Sequence, residues 1–321
     1  MGKRRIAVLT SGGDAPGMNA ALRAVTRTGI YHECEVFGVI RGYQGLVDGD
    51  FREMQANSVS GIIDRGGTIL KSARCEQFKT ADGFSRALRN IKQYDIDVVV
   101  VIGGDGSMAG ARKLSEAGTP TIVIPATIDN DMPGTEYALG FDTALNNIVE
   151  AANKIRDTAF SHDRLAIIEV MGRHSGQLAL CAGISCGAEY ILIPEIPADI
   201  DDICRGLERR NIKGKAFSII IVAEGVGRGH DIAAEVAARI PLSSSVTVLG
   251  YIQRGGNPTA KDNIVGSLMG AAAVDCVMAE SYNCLIAMRQ GKVLPVKYSE
   301  AIKICSGIDR AMYDLAGVLA T

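Results

Sequence analysis

The sequence lacks the features that would place it in several other classes of protein. Its 34 lysines and arginines are balanced by 36 aspartates and glutamates, which gives a formal net charge of −2. There is therefore no basic excess to indicate nucleic-acid binding. No apolar run approaches the roughly 20 residues of a membrane-spanning helix, and the apolar stretch near the amino terminus is too short for a secretion signal. We expect a soluble cytoplasmic protein with neither a nucleic-acid partner nor a membrane partner.

The cysteines also lack a pattern that would define a metal site or a disulfide framework. No two of them form a CxxC pair, and none has a histidine at zinc-ligand spacing. Reduced thiols are the interpretation that fits a cytosolic protein. The eight cysteines are Cys34, Cys75, Cys181, Cys186, Cys204, Cys276, Cys284 and Cys305.

Short β-branched runs alternate with helix-length segments along the whole chain. This alternation is typical of α/β folds with a parallel sheet, and runs that are apolar on both faces indicate buried strands. Strands are predicted at 6–10, 36–40, 97–102, 121–124, 165–170, 190–193, 218–223 and 246–251. Helices are predicted near 17–29, 107–117, 140–158, 175–185, 199–211, 231–239 and 260–279, and a hairpin at 284–297. Two similar α/β domains fit this order better than one large sheet.

Two glycine-rich loops each follow a predicted strand and precede a predicted helix. Residues 10–19 read TSGGDAPGMN and residues 103–107 read GGDGS. Glycine lets the main chain approach an anion closely, and the amides at a helix start favour negative charge. The first loop is neither a P-loop nor a GxGxxG fingerprint. The second suits a nucleotide phosphate with Mg²⁺ near Asp105, whereas a tight turn explains the first equally well when it is taken alone.

The segment 127–131 places two carboxylates, Asp129 and Asp131, just after the hydroxyl of Thr127. It follows an apolar strand and Pro125, so it also lies at the end of a predicted strand. One carboxylate there can act as a base for a substrate hydroxyl, and the other can support a metal or a positioning contact. A solvated acidic turn is the alternative. We hypothesise that Asp129 is the base.

Two further loops bring arginines to strand ends. Arg173 lies in residues 171–176 and Arg254 in residues 250–256. Cations there would neutralise phosphate charge during group transfer, although a solvated surface charge is the alternative for each. Because functional loops of α/β folds gather at the carboxyl ends of strands, five such loops together favour phosphoryl transfer.

Seven segments, taken in order, resemble the bacterial ATP-dependent 6-phosphofructokinases along essentially the whole chain. They are TSGGDAPGMNA (10–20), RGGT to SAR (65–74), VVIGGDGS (100–107), TIDND (127–131), EVMGR (169–173), AEG (223–225) and QRGG (253–256). The resemblance implies two three-layer α/β/α domains with mostly parallel sheets and an active site in the cleft between them. It implies a larger ATP-binding domain at 1–140 plus 253–303 and a smaller sugar-phosphate-binding domain at 141–252 plus 304–321. It also implies a homotetramer that uses Mg²⁺ to transfer the γ-phosphate of ATP to O1 of fructose 6-phosphate.

The same resemblance assigns roles to individual residues. ATP would be bound by Gly13, Arg74, Cys75, Gly104, Asp105, Gly106 and Ser107, with Asp105 near Mg²⁺. Catalysis would involve Asp129 as the base together with Gly13, Arg74, Thr127, Asp131 and Arg173. The sugar phosphate would contact Thr127, Ile128, Asp129, Met171, Gly172, Arg173, Glu224 and Arg254, with Arg164 supplied by a neighbouring subunit.

Four positions bear on donor and acceptor choice. Gly106 matches the ATP users of the family, while Ala126 matches neither the glycine of ATP users nor the lysine of pyrophosphate users. Ser245 and Tyr251 occupy the positions of a cross-subunit arginine and a histidine of the sugar-phosphate site. A lost charge-assisted contact should cost roughly 1.5–3 kcal/mol, or about ten- to a hundredfold in affinity. These departures leave open a regulatory or weakly active subunit, another sugar-phosphate acceptor, or pyrophosphate as donor.

An effector site for ADP or phosphoenolpyruvate is also implied by the resemblance. Arg23 and Arg27, at i and i+4 on one helix, fit a diphosphate clamp or a plain solvated stripe. The other expected members are Arg156, Gly187, Glu189, Lys213 and Lys215. Ala56 and Gly61 replace an arginine and an acid of the family at this site.

Overall fold

A computed structural model describes residues 3–214, 217–304 and 307–320, and the chain divides into two compact units. The larger unit is Met1–Thr143 with Arg254–Ser306, and the smaller unit is Ala144–Gln253 with Gly307–Thr321.

The chain begins with β1 (Arg5–Ser11), α1 (Met18–Tyr31), β2 (Glu35–Val39), α2 (Tyr43–Asp48), β3 (Phe51–Met54), α3 (Ala81–Gln93), β4 (Val98–Gly103), α4 (Asp105–Glu116) and β5 (Thr121–Pro125). It continues with α5 (Phe141–Ser161), β6 (Leu165–Val170), α6 (Gln177–Cys186), β7 (Tyr190–Leu192), α7 (Ile200–Ile212), β8 (Ser218–Ala223), α8 (Gly229–Ala237) and β9 (Ser244–Val248). It closes with α9 (Ala260–Met278), β10 (Cys284–Arg289), β11 (Lys292–Lys297), α10 (Tyr298–Ala301) and α11 (Arg310–Leu319).

The larger unit is built on a seven-stranded sheet in the order β11-β10-β5-β4-β1-β2-β3. Its five central strands are parallel, and β3 and β11 pair antiparallel at the two edges. All six residues of β4, VVVVIG, are buried. Because side chains alternate across a strand, Val99 and Val101 pack with α2, α3 and α4, whereas Ile6 and Val36 pack near Gly29 of α1. The sheet is thus covered on both faces, as a parallel sheet requires.

The smaller unit has a four-stranded sheet in the order β7-β8-β6-β9, and every pair in it is parallel. Ile167, Ile220 and Val222 pack against α7 and α8, while Ile191 lies against Gly183 of α6. The α/β class and the mostly parallel sheets predicted from the sequence are confirmed. In each sheet, the loops that follow the central strands lie at one edge.

The predicted strand 246–251 was wrong at both ends. The strand there is β9, which ends at Val248, and residues Gly250–Gln253 form a 3-10 helix instead. Gly250 adopts a left-handed φ of 50°, a conformation that turns the chain out of an extended path. Tyr251 and Ile252 are 85% and 75% exposed. Both residue types favour strands, but here they do not belong to a buried strand.

Across residues 3–214, 217–304 and 307–320, no helix combines the length and the apolar character needed to cross a bilayer. Seven cysteines in these ranges are free thiols.

Candidate active site

The loops after β1, β4 and β5 line one cavity of about 600 Å³ in the larger unit. These three strands are neighbours in the sheet, so their carboxyl ends bring distant segments of sequence together. Predicted site residues that line the cavity are Gly13, Arg74, Cys75, Gly104, Asp105, Gly106, Ser107, Thr127, Asp129 and Arg254. Ala126 also lines it, whereas the neighbouring Ile128 is fully buried.

The loop after β4 passes directly into α4, whose first turn faces the cavity. Gly103 has no room for a side chain, because a Cβ would strike the hydroxyl of Ser107 and the carbonyl of Ser11. By contrast, a Cβ on Gly106 would meet nothing within 4 Å, so the space over this turn is open. Asp105 is exposed at the helix start. Unpaired amides at a helix start make such a turn suited to phosphate.

The acidic loop after β5 is held by its own polar side chains. The Thr127 hydroxyl accepts a hydrogen bond from the Asp129 amide at 3.2 Å and donates one to Asp131 Oδ1 at 3.4 Å. Asn130 has a left-handed φ of 50°, which asparagine tolerates better than most residues. Its Oδ1 accepts the amide of Ala138 at 2.8 Å. The loop therefore has a defined shape that presents Asp129 to the cavity.

Cationic groups border the same cavity. Arg74 is exposed and lies next to the half-buried Cys75. Arg254 donates from Nη1 to the carbonyl of Asp14 at 3.2 Å, and a Cβ on Gly13 would collide with its guanidinium. Gly13 thus leaves room for the arginine.

The sequence did not identify an aromatic wall of this cavity. Tyr43 and Phe78 have ring centroids 4.4 Å apart, and the Tyr43 hydroxyl donates to the carbonyl of Ser107 at 2.6 Å. Complete burial raises the pKa of Tyr43 well above its ordinary value, so the phenol stays protonated and remains a donor. Gly110 is required beneath the ring, because a Cβ there would lie 2.5 Å from it. Gly110 and Lys113 of α4 also line the cavity.

In the smaller unit, predicted substrate residues gather at the carboxyl ends of β6 and β8. They are Met171, Gly172, Arg173 and Glu224. Val170 pairs with Ala223, and the Glu224 amide donates to the Val170 carbonyl at 2.8 Å. Gly172 has φ 126° and accepts from the Gly225 amide at 3.2 Å, which folds the two loops together. Arg173 and Glu224 are exposed.

Two predicted sugar-phosphate residues lie at the other end of β6. Arg164 immediately precedes this strand, and Ser245 pairs with Ala166 near its start. A strand rises about 3.3 Å per residue, so the length of β6 separates them from Arg173. Within one chain the structure does not bring them together with Met171, Arg173 or Glu224. Tyr251 is 85% exposed in the 3-10 helix after β9.

The expected effector residues are divided between the units. Arg23 is half-buried and Arg27 exposed on α1 of the larger unit. In the smaller unit, a Cβ on Gly187 would lie 3.8 Å from Arg156 Nη2, so these two residues are neighbours.

Glu189 is already engaged within its own unit. It forms an ion pair with Arg210 at 2.5 Å and accepts the Ile219 amide at 2.6 Å. Glu189, Arg210 and Lys213 line a second cavity of about 760 Å³. Lys215 lies outside the described residues.

A parallel sheet whose strand-end loops combine glycines, a helix start, arginines and a presented carboxylate defines an α/β enzyme that handles phosphorylated ligands. Residues 5–277 match the family Phosphofructokinase. The chain belongs to this family.

Individual relatives agree over the full length. The ATP-dependent 6-phosphofructokinase of Halalkalibacterium halodurans is 51% identical over 317 residues, covering 99% of both chains. That of Clostridioides difficile is 49% identical with the same coverage. Among solved structures, phosphofructokinase from Saccharomyces cerevisiae superposes with a TM-score of 0.88 at 36% identity, and the match covers 99% of this chain and 48% of the yeast chain. This chain therefore spans about half the length of the yeast chain.

A pyrophosphate-dependent phosphofructokinase from Marinobacter aquaeolei has a TM-score of 0.85 at 20% identity, covering 99% of this chain and 92% of its own. At that identity the likeness concerns the fold alone.

Proposed function

We propose that the chain is an ATP-dependent 6-phosphofructokinase, which converts fructose 6-phosphate to fructose 1,6-bisphosphate in glycolysis. The observation that carries the proposal is the single cavity in which Asp129 meets the glycine loops and Asp105. Relatives of that name match along the full chain.

Asp129 is the general base of the proposed reaction. Its carboxylate accepts the proton of the O1 hydroxyl as O1 bonds to the γ-phosphorus of ATP, and the bond from that phosphorus to the β–γ bridging oxygen breaks to release ADP. Thr127 and Asp131 support the base, since the Thr127 hydroxyl bonds to both the Asp129 amide and Asp131. Positioning of this kind, together with charge stabilisation, supplies most of the catalysis in phosphoryl transfer.

Charge on the transferred group is balanced by arginines. Arg74 borders the cavity of the larger unit, and Arg173 is the cation at the end of β6. We assign both to the phosphoryl group in transfer. We also assign Gly13 to this group, since it lines the cavity and glycine lets the main chain approach an anion closely.

The residues present fit a Mg²⁺ ion bound with the nucleotide. Asp105 is an exposed carboxylate in the cavity next to the proposed phosphate loop, and oxygen ligands suit Mg²⁺. Within the described ranges no group of three or more histidines, cysteines and acids is placed to hold a metal. Mg²⁺ in nucleotide sites is commonly held by one or two carboxylates together with substrate phosphates. When bound, Mg²⁺ neutralises phosphate charge during transfer.

The acceptor would be bound by residues that follow β6 and β8, namely Met171, Gly172, Arg173 and Glu224, with Arg254 from the larger unit. Arg164 lies at the opposite end of β6, and this supports its assignment to the site of a neighbouring subunit. A homotetramer would satisfy that requirement. Ser245 and Tyr251 supply no cation, so we expect weaker binding of the 6-phosphate than an arginine would give.

Regulation by ADP or phosphoenolpyruvate is proposed at the residues around Gly187. Arg156 and Lys213 offer positive charge there, and Arg23 and Arg27, on α1 of the larger unit, are proposed as further cations of the site. Glu189 would have to exchange its contact with Arg210 before it could serve a ligand.

The test is a coupled assay of the purified chain with ATP or pyrophosphate and a panel of sugar phosphates. ATP with fructose 6-phosphate should give the highest kcat/KM. Asp129→Asn should lower kcat by about 10²- to 10⁴-fold, the range of general base catalysis, with nucleotide binding retained. Asp275→Asn, the same change at an exposed position of α9, is the control.

If Asp129→Asn turned over as fast as the wild type, Asp129 could not be the general base. A higher kcat/KM with another acceptor or with pyrophosphate would replace the proposed substrates. Absence of turnover by the chain alone, with binding of sugar phosphate intact, would identify a regulatory subunit, which the complete set of cavity residues disfavours.

A further inference from the structure

Asp262, at the start of α9, is a fully buried carboxylate outside the cavity. Its Oδ1 accepts from the Tyr137 hydroxyl at 2.7 Å and from the Gly140 amide at 2.8 Å. Its Oδ2 accepts from the Thr143 amide at 2.9 Å and from the Thr143 hydroxyl at 2.5 Å. Four donors satisfy a charge that would otherwise be very costly to bury.

The donors to Asp262 are themselves locked in place. Burial first, and the Asp262 carboxylate second, raise the pKa of Tyr137 far above its ordinary value, so the phenol keeps its proton. The Thr143 hydroxyl also accepts the amide of Thr259 at 3.0 Å. Thr259 caps α9 by accepting the Asp262 amide at 3.3 Å. The segment 137–143 is thus tied to the start of α9 at several points.

That segment connects directly to the acidic loop. The Ala138 amide donates to Asn130 Oδ1 at 2.8 Å, and the Leu139 amide donates to the Pro125 carbonyl at 3.0 Å. These bonds hold both ends of the turn that contains Asp129. Asn130 adopts a left-handed φ of 50°, and its bond to Ala138 helps to hold that conformation.

The segment also contacts the first glycine loop. A Cβ on Gly140 would lie 2.7 Å from Ala15, and a Cβ on Gly17 would lie 3.2 Å from the Asp262 carbonyl. The start of α9 and the segment 137–143 therefore both pack against the loop that carries Gly13.

We propose that Asp262 is a positioning residue of the reaction: through Tyr137, Gly140 and Thr143 it fixes the backbone that aims Asp129 at the acceptor hydroxyl. An apolar residue could fill the same space, but it could not order four donors from one segment. A displacement of about 1 Å can cost on the order of 10²-fold in rate. The inference rests on the proposed function, because it presupposes Asp129 as the base.

The kinetic test uses Tyr137→Phe, which deletes one donor and keeps the ring, and Asp262→Asn, which keeps the shape. Both should lower kcat by roughly 10- to 100-fold. The KM for ATP should change by less than about threefold, since neither Tyr137 nor Asp262 lines the cavity in which ATP is proposed to bind. Asp275→Asn on the same helix is the matched control. All rates are taken per folded molecule, at temperatures below the onset of melting.

Amide hydrogen exchange supplies a readout that does not depend on activity. In Tyr137→Phe the amides of residues 127–131 should exchange faster than in wild type, while those of residues 104–107 keep their rates. A variant with wild-type kcat and only a lower melting temperature would make Asp262 purely structural and overturn the inference. If wild type lacks the proposed activity, the exchange pattern still decides whether Asp262 orders the acidic turn.

Discussion

Gly106 is the residue at which we propose that a missing side chain selects the donor. It is the second residue of α4, its Cβ position is open, and it lies in the cavity with Asp105. The fold therefore does not require glycine here, because a Cβ would meet no protein atom within 4 Å. We propose that the requirement comes from the ligand, whose phosphates would share this space.

Gly106→Asp should impair ATP use without harming the fold. A like charge about 4 Å away costs up to about 4 kcal/mol at an effective dielectric constant of 20, so we expect the KM for ATP to rise by at least about tenfold. Stability should stay level or increase slightly, because an acid in the first turn favours the helix by about 0.3–1 kcal/mol. Steady-state kinetics and thermal melting measure the two effects separately.

Gly106→Ala is the matched control, since it adds the Cβ without the charge. It should keep the KM for ATP near the wild-type value and stabilise α4 by about 0.5–1 kcal/mol. If the alanine and aspartate variants show the same KM, then charge at this position does not select the donor.

Most of the predicted site residues that line the cavity could be identified from the sequence, because the spacing of glycines and acids after a predicted strand indicates a phosphate-binding site. Asp105, Thr127 and Asp129 are all local to strand-end loops. Tyr43 was not predictable. It reaches the Ser107 carbonyl across 64 positions of sequence, and nothing in its own neighbourhood indicates that contact.

At the scale of elements, buried strands were predicted better than exposed ones. β4 and β8 are buried along their whole length, so their apolar runs mark them clearly. β3 and β9 are half-exposed, and α3 was missed although Thr80 caps it by accepting the Gly83 amide. The conformation of such elements depends on packing against distant segments, and the local sequence gives no information about that packing.

None of the residues of α11 is fully buried, so we expect polar contacts to contribute strongly to holding this helix in place. Arg210 Nη1 donates to the Ala320 carbonyl at 2.8 Å, and the Tyr313 hydroxyl donates to the Ile191 carbonyl at 3.3 Å. Arg210 also pairs with Glu189, and the two side chains are only 17% and 11% exposed. One arginine therefore joins α11 to the region proposed for effector binding.

Arg210→Leu should loosen α11 and lower the stability of the smaller unit by roughly 1–3 kcal/mol, because Glu189 loses its cation while it stays largely buried. Hydrogen exchange of residues 310–319 and thermal melting measure the effect. Arg209→Leu, at an exposed position of the same helix, should leave both nearly unchanged. Equal exchange in the two variants would show that the Arg210 contacts do not hold α11.

At the scale of the whole molecule, we propose that the larger unit binds ATP and that the smaller unit binds the sugar phosphate. All cavity residues assigned to ATP belong to the larger unit. The residues that follow β6 and β8 belong to the smaller one. Each unit has its own hydrophobic cluster, so ligand protection should be resolvable unit by unit.

Hydrogen exchange with each ligand alone should separate the two binding regions. Mg²⁺ with a non-hydrolysable ATP analogue should slow exchange at residues 98–110 and 127–131, because bound ligand stabilises the segments it contacts by mass action, about 2.7 kcal/mol at a hundredfold excess over Kd. Fructose 6-phosphate should slow exchange at residues 171–173 and 224–228.

Mg²⁺ alone is the control and should protect neither set, since Asp105 would hold the ion only together with phosphates. Protection of the β6 and β8 loops by the ATP analogue, with none at residues 98–110, would reverse the proposed assignment of the units.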